Sequence, residues 1–213
     1  MNTLSLIARI KEELDDQGVF YTDEDIFDSL QDGYEEISLR TECIEKVVSI
    51  SFPATPYLDV PTLVPDYFRP FGIYDRNQKL FLTPTTFKIL ESFDEKWETT
   101  TGTPEWFVPI DFKYIAFYPY YATVPVYNLY LFYSAVAPDF TSSNTLDIPA
   151  NHENVILNYV VNDLLDQALE FKKSGALYGE YISDVTRLKA ELGKRNNSDR
   201  IKQFLVKINA NVE

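Results

Sequence analysis

The fold of this chain is decided by its most aromatic stretch, TGTPEWFVPIDFKYIAFYPYYATVPVYNLYLFYSA, which runs from Thr101 to Ala135. Twelve aromatic residues lie between Trp106 and Tyr133, a segment without glycine. Aromatic and β-branched residues at this density favour pleated, half-buried strands over helices. FKYIAFYPYY is apolar nearly throughout, and VYNLYLFYSAVAP follows after Pro125. We therefore predict that these two segments pair as strands at the centre of a β-sheet core.

Helical patterns lie on both sides of this core. Apolar residues three to four apart predict a helix over residues 3–17, and Thr22 with Asp25 three positions later predicts the capped start of a second helix. Asn151 is the predicted cap of a third helix, and YGEYISDVTRLKAELGKR has the apolar stripe of a fourth. The predicted class is α+β: a helical bundle, made of an N-terminal helical hairpin and two C-terminal helices, with an inserted antiparallel β-sheet or sandwich unit.

The order of these elements predicts a helical domain from residues 1–44 and 150–193, an inserted β-rich domain at 45–149, and a C-terminal arm at 194–213. The arm follows the helix-breaking sequence GKRNNS. Its apolar residues are spaced i, i+3, i+4 and i+7, at Ile201, Phe204, Leu205 and Ile208. Such a segment can dock onto a partner or fold back as a fifth helix, and both interpretations stay open.

Four shorter segments carry local predictions. VPDYFRP is predicted to form a single helical turn, and KKSGALYGE a turn between the last two helices. FGIYDRNQKLFL predicts a hairpin about its polar centre, with Ile73, Leu80 and Leu82 as core candidates. TPTTFKILESFDEKW predicts a helix inserted between strands.

Composition limits the function. A net charge of −14 argues against nucleic-acid binding, which needs lysine and arginine side chains to neutralise phosphates. It fits solubility, or a surface that repels DNA. The longest apolar runs fall short of the roughly 20 residues of a membrane helix, and Arg9, Lys11 and Glu12 interrupt any signal-peptide core. The single cysteine, Cys43, excludes an internal disulfide framework.

The sequence predicts no catalytic, cofactor or metal site. It lacks GxSxG, P-loop and GxGxxG motifs. The one histidine, His152, has no histidine or cysteine partners for a metal, so we expect a structural or solvent-facing role. The oxygen-bearing side chains of Asp139, Asn144 and Asp147 could bind calcium, but their spacing does not match an EF-hand loop.

One alternative function stays open. Glu105 and Asp111 flank Trp106, and a carboxylate pair beside an aromatic platform is the arrangement of a glycosidase site. The alternative is therefore a carbohydrate-binding or hydrolytic accessory domain. Because tyrosine and tryptophan are enriched at protein interfaces, we instead expect the aromatic strands to serve in packing and subunit contacts. The interface candidates are Trp106, Tyr118, Tyr120, Tyr121 and Tyr130.

Four stretches, in this order, resemble tailed-bacteriophage head-to-tail adaptor proteins, also called connector or head-completion proteins. They are ELDDQG with YTDEDIFDSLQDGYEEISLRTECI, LVPDYFRPFGIYDRNQKLFLTP, TTGTPEWFVPIDFKYIAFYPYY and LDIPANHENVILNYVVNDLL. The resemblance covers about residues 3–192. Tyr21 stands where the family usually has tryptophan, and the segment after Gly193 matches no family pattern.

The resemblance implies a structural virion protein without enzymatic activity or cofactor. Such adaptors form a twelve-fold ring in the virion neck and are assembled in the host cytoplasm. One side of the ring binds the portal protein and the other receives tail or nozzle proteins. DNA passes through the channel without specific binding, and no membrane is involved. For this chain, the resemblance implies a helical domain near the portal, a β domain toward the tail and an arm along the portal.

Overall fold

The structure is a computed structural model, and it describes residues 3–15, 20–139, 146, 148 and 152–194. The α+β class is confirmed. The helices are α1 (Thr3–Glu13), α2 (Asp23–Thr41), α3 (Phe87–Phe93), α4 (Glu153–Gln167) and α5 (Phe171–Gly193). The strands are β1 (Glu45–Ile50), β2 (Tyr57–Asp59), β3 (Tyr67–Asp75), β4 (Leu80–Phe81), β5 (Thr83–Pro84), β6 (Trp106–Ile110), β7 (Tyr114–Tyr118) and β8 (Leu129–Ala135).

The chain divides into two compact units. The helical unit takes in the described residues of Met1–Ile44 and Val136–Arg195, and the β unit is Glu45–Ala135. The chain thus returns to the helical unit at Val136, earlier than residue 150, where the sequence predicts the boundary. Ala137 contributes to this unit directly, because its backbone N–H donates to the Ser38 hydroxyl at 3.1 Å.

The start of α2 follows from its capping residues. The Thr22 hydroxyl accepts a hydrogen bond from the Asp25 N–H at 3.2 Å, and the Asp25 carboxylate accepts one from the Thr22 N–H at 2.8 Å. These reciprocal bonds satisfy backbone donors that the first helical turn leaves without partners. The predicted cap is confirmed. The helix ends at Thr41, and the next residue, Glu42, has a left-handed φ of 56°.

The third predicted helix is α4, and its apolar face is buried against both α1 and α2. Asn151 lies outside the described residues. The predicted turn KKSGALYGE is wrong, because it forms the first turns of α5. Ser174 explains the difference: its buried hydroxyl lies 3.0 Å from the Asn162 side-chain oxygen and 2.9 Å from an Asp166 carboxylate oxygen. These bonds hold the start of α5 to α4.

Two four-stranded sheets make up the β unit. The first sheet has the order β1-β8-β3-β4, and the second has the order β2-β7-β6-β5. Pairing is antiparallel except between β5 and β6. The predicted pairing of the two aromatic segments is therefore wrong: β7 belongs to the second sheet and β8 to the first. Because both segments are apolar on both faces, their composition does not distinguish one strand partner from another.

Two local predictions around β3 also need correction. VPDYFRP is not a helical turn, since its second half begins β3. Pro70 is accommodated there by an irregularity in the pairing with β8. The hairpin between β3 and β4 is confirmed, and Ile73 and Leu82 are buried as predicted. Leu80 is 60% exposed, so its assignment to the core is wrong. The predicted inserted helix is α3.

The two sheets contact each other through β3 and β6. In the first sheet, Ile73 pairs with Leu131 and both side chains are fully buried, whereas the next pair along, Tyr74 and Tyr130, is half-buried. In the second sheet, Trp106 pairs with Tyr118 on the face that α3 covers. Each sheet therefore has an inner face in the core and an outer face on the opposite side.

Candidate functional site

The residues expected to bind a partner through the C-terminal arm, Ile201, Phe204, Leu205 and Ile208, lie outside the described residues. Their role stays a prediction. The five aromatic interface candidates all lie in the β unit, and the structure distributes them over three places.

Trp106 and Tyr118 lie together on the outer face of the second sheet. Their rings are stacked with centroids 5.6 Å apart, and the ring of Phe93 meets Trp106 edge-on at 5.1 Å. The Tyr118 hydroxyl donates to Asp94 at 3.1 Å. Burial and this carboxylate raise the pKa of Tyr118. Only 7% of Tyr118 is exposed, so its side chain packs beneath Trp106 and Phe93, which are accessible to solvent.

Tyr120 and Tyr121 begin the segment that connects β7 to β8. The backbone of Tyr120 forms a bridge with Thr101. The Tyr121 hydroxyl donates to the buried Asp75 carboxylate at 2.7 Å. These contacts attach the segment to β3 and to the loop that precedes β6.

Tyr130 lies on the outer face of the first sheet. Its ring is stacked on Tyr74 at 6.4 Å, and the Arg76 guanidinium lies 5.1 Å from its centroid. Trp106 and Tyr130 therefore occupy opposite outer faces of the β unit. The subunit-interface role of all five residues stays a prediction.

A cleft of about 580 Å³ lies beside α3. Three aromatic and three acidic side chains line it, namely Tyr57, Phe87, Trp97, Glu91, Glu95 and Glu98. Tyr57 forms a short hydrogen bond to Glu98. Burial, with a contribution from Glu98, raises the pKa of Tyr57 to about 12. Carboxylates between aromatic walls favour a cationic group, through charge and through the negative faces of the rings.

The two carboxylates that the sequence suggested as a hydrolytic pair, Glu105 and Asp111, are far apart in the structure. Glu105 and Asp111 flank opposite ends of β6, a five-residue strand about 17 Å long. Both are exposed. This separation exceeds the roughly 5–10 Å between the carboxyl groups of a glycosidase. Asp139 is exposed, and Asn144 and Asp147 lie outside the described residues.

His152 has a structural role at the start of α4. Its side chain is buried, and its Nε2 lies 2.8 Å from a Glu191 carboxylate oxygen on α5. This hydrogen bond is the main reason that the pKa of Glu191 is lowered. In the part of the chain that the structure describes, no group of three or more histidine, cysteine or acidic side chains is arranged to hold a metal ion.

Sequence reasoning missed the exposed apolar residues next to the candidates. Ile89 and Phe93 are 53% and 67% exposed on α3, and Tyr127 is 55% exposed after β7. The four-residue spacing of Ile89 and Phe93 was a usable signal, since it places both on one helix face, while Leu90 is fully buried. Among the described helices, none is long and apolar enough to span a membrane.

A family model for the SU10 adaptor protein matches residues 1–203 of the chain. The match includes all described residues of both units and continues into the segment that carries Ile201. No curated protein is similar enough to the chain to count as a match. Since the family model covers far more than half of the sequence, the resemblance to phage adaptors is confirmed. The chain belongs to the SU10 adaptor protein family, a family of phage head-to-tail adaptor proteins.

Proposed function

We propose that this adaptor forms a ring, with about twelve copies, that joins the portal to the tail components and surrounds the DNA channel. The observation that carries the proposal is the family match over residues 1–203, because it spans the helical unit, the β unit and the beginning of the arm. A phage adaptor is a structural component of the virion neck. The ring, its stoichiometry and the channel are our proposal for this chain.

The portal-binding element in this proposal is the C-terminal arm with Ile201, Phe204, Leu205 and Ile208. Their sequence spacing, i, i+3, i+4 and i+7, is that of one face of a helix. Burying four such side chains contributes roughly 6–12 kcal/mol before the cost of ordering the arm. This is enough for a short segment to hold a subunit on a large partner.

Net charge supports the channel role. Each copy carries a formal charge of −14, and a ring multiplies this charge around one axis. Like charge keeps a DNA molecule from adhering to the wall as it passes. Acidic residues that line the channel are expected to speed genome ejection, so their replacement by lysine is expected to slow it.

The proposal is tested by mixing the purified full chain with the portal protein of the same phage and imaging the mixture by negative stain. We expect rings attached to the portal. A chain truncated after Gly193 is expected to melt like the full chain, followed by circular dichroism, but to remain unattached. Normal attachment of the truncated chain would refute the docking arm.

The alternative carbohydrate-binding or hydrolytic function would use the cleft beside α3, where aromatic and acidic side chains meet. This function would give a different result in the same experiment. A monomer that ignores the portal and binds or cleaves a polysaccharide would support this alternative and contradict the ring.

A further inference from the structure

Two opposite outer faces of the β unit carry exposed apolar side chains and differ in charge. We name the first the aromatic face, formed by Tyr74, Phe81, Tyr127, Tyr130 and Arg76, with the exposed Lys79 in the adjoining β3–β4 turn. We name the second the α3 face, formed by Ile89, Phe93, Glu91, Glu95 and Glu98. The first lies on the outer side of the first sheet, and the second lies on the helix that covers the outer side of the second sheet.

The aromatic face is a continuous set of ring contacts. The ring of Tyr74 lies 4.9 Å from that of Phe81 and 6.4 Å from that of Tyr130. Phe81 is 41% exposed. Arg76 lies over both Tyr127 and Tyr130, at 5.7 and 5.1 Å from their centroids. Arginine and exposed tyrosine are the residue types enriched at protein interfaces.

The edge of this face is held in place by side-chain bonds. The Asn77 amide donates to the Tyr127 carbonyl at 2.9 Å, and its oxygen accepts from the Tyr127 N–H at 3.1 Å. The β7–β8 segment is therefore fixed to the β3–β4 turn before any partner arrives. A surface that is ordered in advance loses less conformational entropy on binding.

The α3 face is acidic on balance, because Glu91, Glu95 and Glu98 outnumber the exposed Lys88 and Lys96 of the same segment. Ile89 and Phe93 are 53% and 67% exposed along one side of the helix, next to the buried Leu90. On the other side of the helix, the cleft is lined by the exposed carboxylates of Glu91, Glu95 and Glu98. Such a surface fits apolar side chains accompanied by cations, and the aromatic face offers both.

From these observations we infer that the aromatic face of one copy packs against the α3 face of the next copy. The contact brings Arg76 and Lys79 toward the carboxylates of the cleft and sets the tyrosine rings against Ile89 and Phe93. Because the two faces differ and lie on opposite sides of the β unit, the contact is head-to-tail, which is the type that closes a ring. This inference rests on the proposed ring, and it assigns the surfaces that build it.

The test uses charge reversal with rescue, in the presence of portal protein. The first variant combines Arg76→Glu with Lys79→Glu, and the second combines Glu91→Lys with Glu95→Lys. Each is expected to reduce the fraction of chain assembled into rings at least fivefold at low salt, as measured by analytical ultracentrifugation. The chain that carries all four substitutions restores opposite charges across every contact, so it is expected to assemble.

Matched controls separate this contact from general effects. Lys172→Glu with Lys189→Glu makes the same charge change at exposed positions of α5, and Leu63→Ser removes an apolar residue that is 54% exposed in the same unit. Both should assemble normally, whereas Ile89→Ser should not. Melting by circular dichroism identifies variants that fail to fold.

The outcomes distinguish the two proposals. If the wild-type chain forms no rings with the portal, the proposed function itself fails. If the wild-type chain forms rings and both reversed variants assemble as well as it does, the ring stands and the head-to-tail contact is refuted. Loss of assembly in the four-fold variant, with its fold intact, would also refute the contact.

Discussion

The buried carboxylate of Asp75 accepts a hydrogen bond from the hydroxyl of Tyr121 at 2.7 Å, which ties the β3–β4 turn to the β7–β8 segment. The same carboxylate accepts from the Asn77 N–H at 2.7 Å and from the Gln78 amide at 3.0 Å. A buried charge is tolerated when its oxygens are satisfied in this way. These hydrogen bonds explain how the β7–β8 segment, which carries Tyr127 of the aromatic face, stays ordered.

Removing the Tyr121 hydroxyl is expected to weaken this connection. Tyr121→Phe should lower the free energy of unfolding by about 1.5–3 kcal/mol, because hydrogen bonds to charged groups contribute in that range. Urea denaturation followed by fluorescence measures the change. Tyr120→Phe is the matched control, and we expect a change within about 0.5 kcal/mol there. Equal effects at both positions would contradict the role of Asp75.

Alkaline pH provides a second test of the same contact. Burial and the Asp75 carboxylate raise the pKa of Tyr121 to about 12, from its ordinary value of 10.0. A raised pKa means that the folded state favours the protonated hydroxyl. The stabilisation is complete below pH 10 and is lost as the pH rises toward about 12. Absorbance titration should show that several tyrosines ionise late in the wild type, because the pKa of Tyr57 is also raised to about 12, and the amplitude of this late component should fall by one tyrosine in Tyr121→Phe. An unchanged amplitude would show that Tyr121 does not ionise late.

Gly33 provides a test in the helical unit. A Cβ at this position would lie 2.4 Å from the Tyr159 ring of α4, so Gly33→Ala must displace the ring or separate the helices. Overpacking costs about 1–3 kcal/mol, which exceeds the gain of about 1 kcal/mol in helix propensity. We expect a lower melting temperature. Gly175→Ala, where nothing lies within 4 Å of the added Cβ, should raise it. A stabilising Gly33→Ala would contradict the close approach of α2 and α4.

The His152–Glu191 bond gives a prediction at acidic pH. Glu191→Ala leaves the buried histidine nitrogen without its carboxylate, and should lower the free energy of unfolding at neutral pH. Because the folded protein lowers the pKa of Glu191 below its ordinary 4.5, this contribution is present above pH 4.5 and is lost as the pH falls through the lowered value. The stability difference between wild type and variant should therefore shrink in acid. Glu180→Ala serves as the exposed control on α5, and a difference that does not depend on pH would refute the linkage.

Sequence reasoning was reliable where a signal is local. Capping residues gave the start of α2, and apolar spacing gave the buried faces of α4 and α5. It failed where the structure depends on contacts between residues far apart in sequence. β7 and β8 are both apolar, and their sequences do not indicate that they belong to different sheets. The KKSGALYGE segment contains glycines that suggest a turn, yet contacts of Ser174 with α4 extend the helix through it.

The predicted interface residues show the same limit of sequence reasoning, because burial cannot be read from residue type. Tyrosine density correctly located the aromatic strands, but burial distinguishes Tyr118, which supports the sheet, from Tyr130, which lies on an outer face. The charged partners of these faces, Arg76 and the glutamates of the cleft, carry no sequence signal of their own. Their possible role in a contact between copies can be inferred only from the structure, in which they lie on opposite sides of the β unit.

The central claim is that this chain forms the ring between portal and tail. Its most direct test is an electron cryo-microscopy map of the virion neck, into which the helical and β units are fitted separately. We predict a closed ring beneath the portal in which the aromatic face of each copy meets the α3 face of its neighbour. Density for this chain elsewhere in the virion, or single copies without contacts to one another, would contradict the claim.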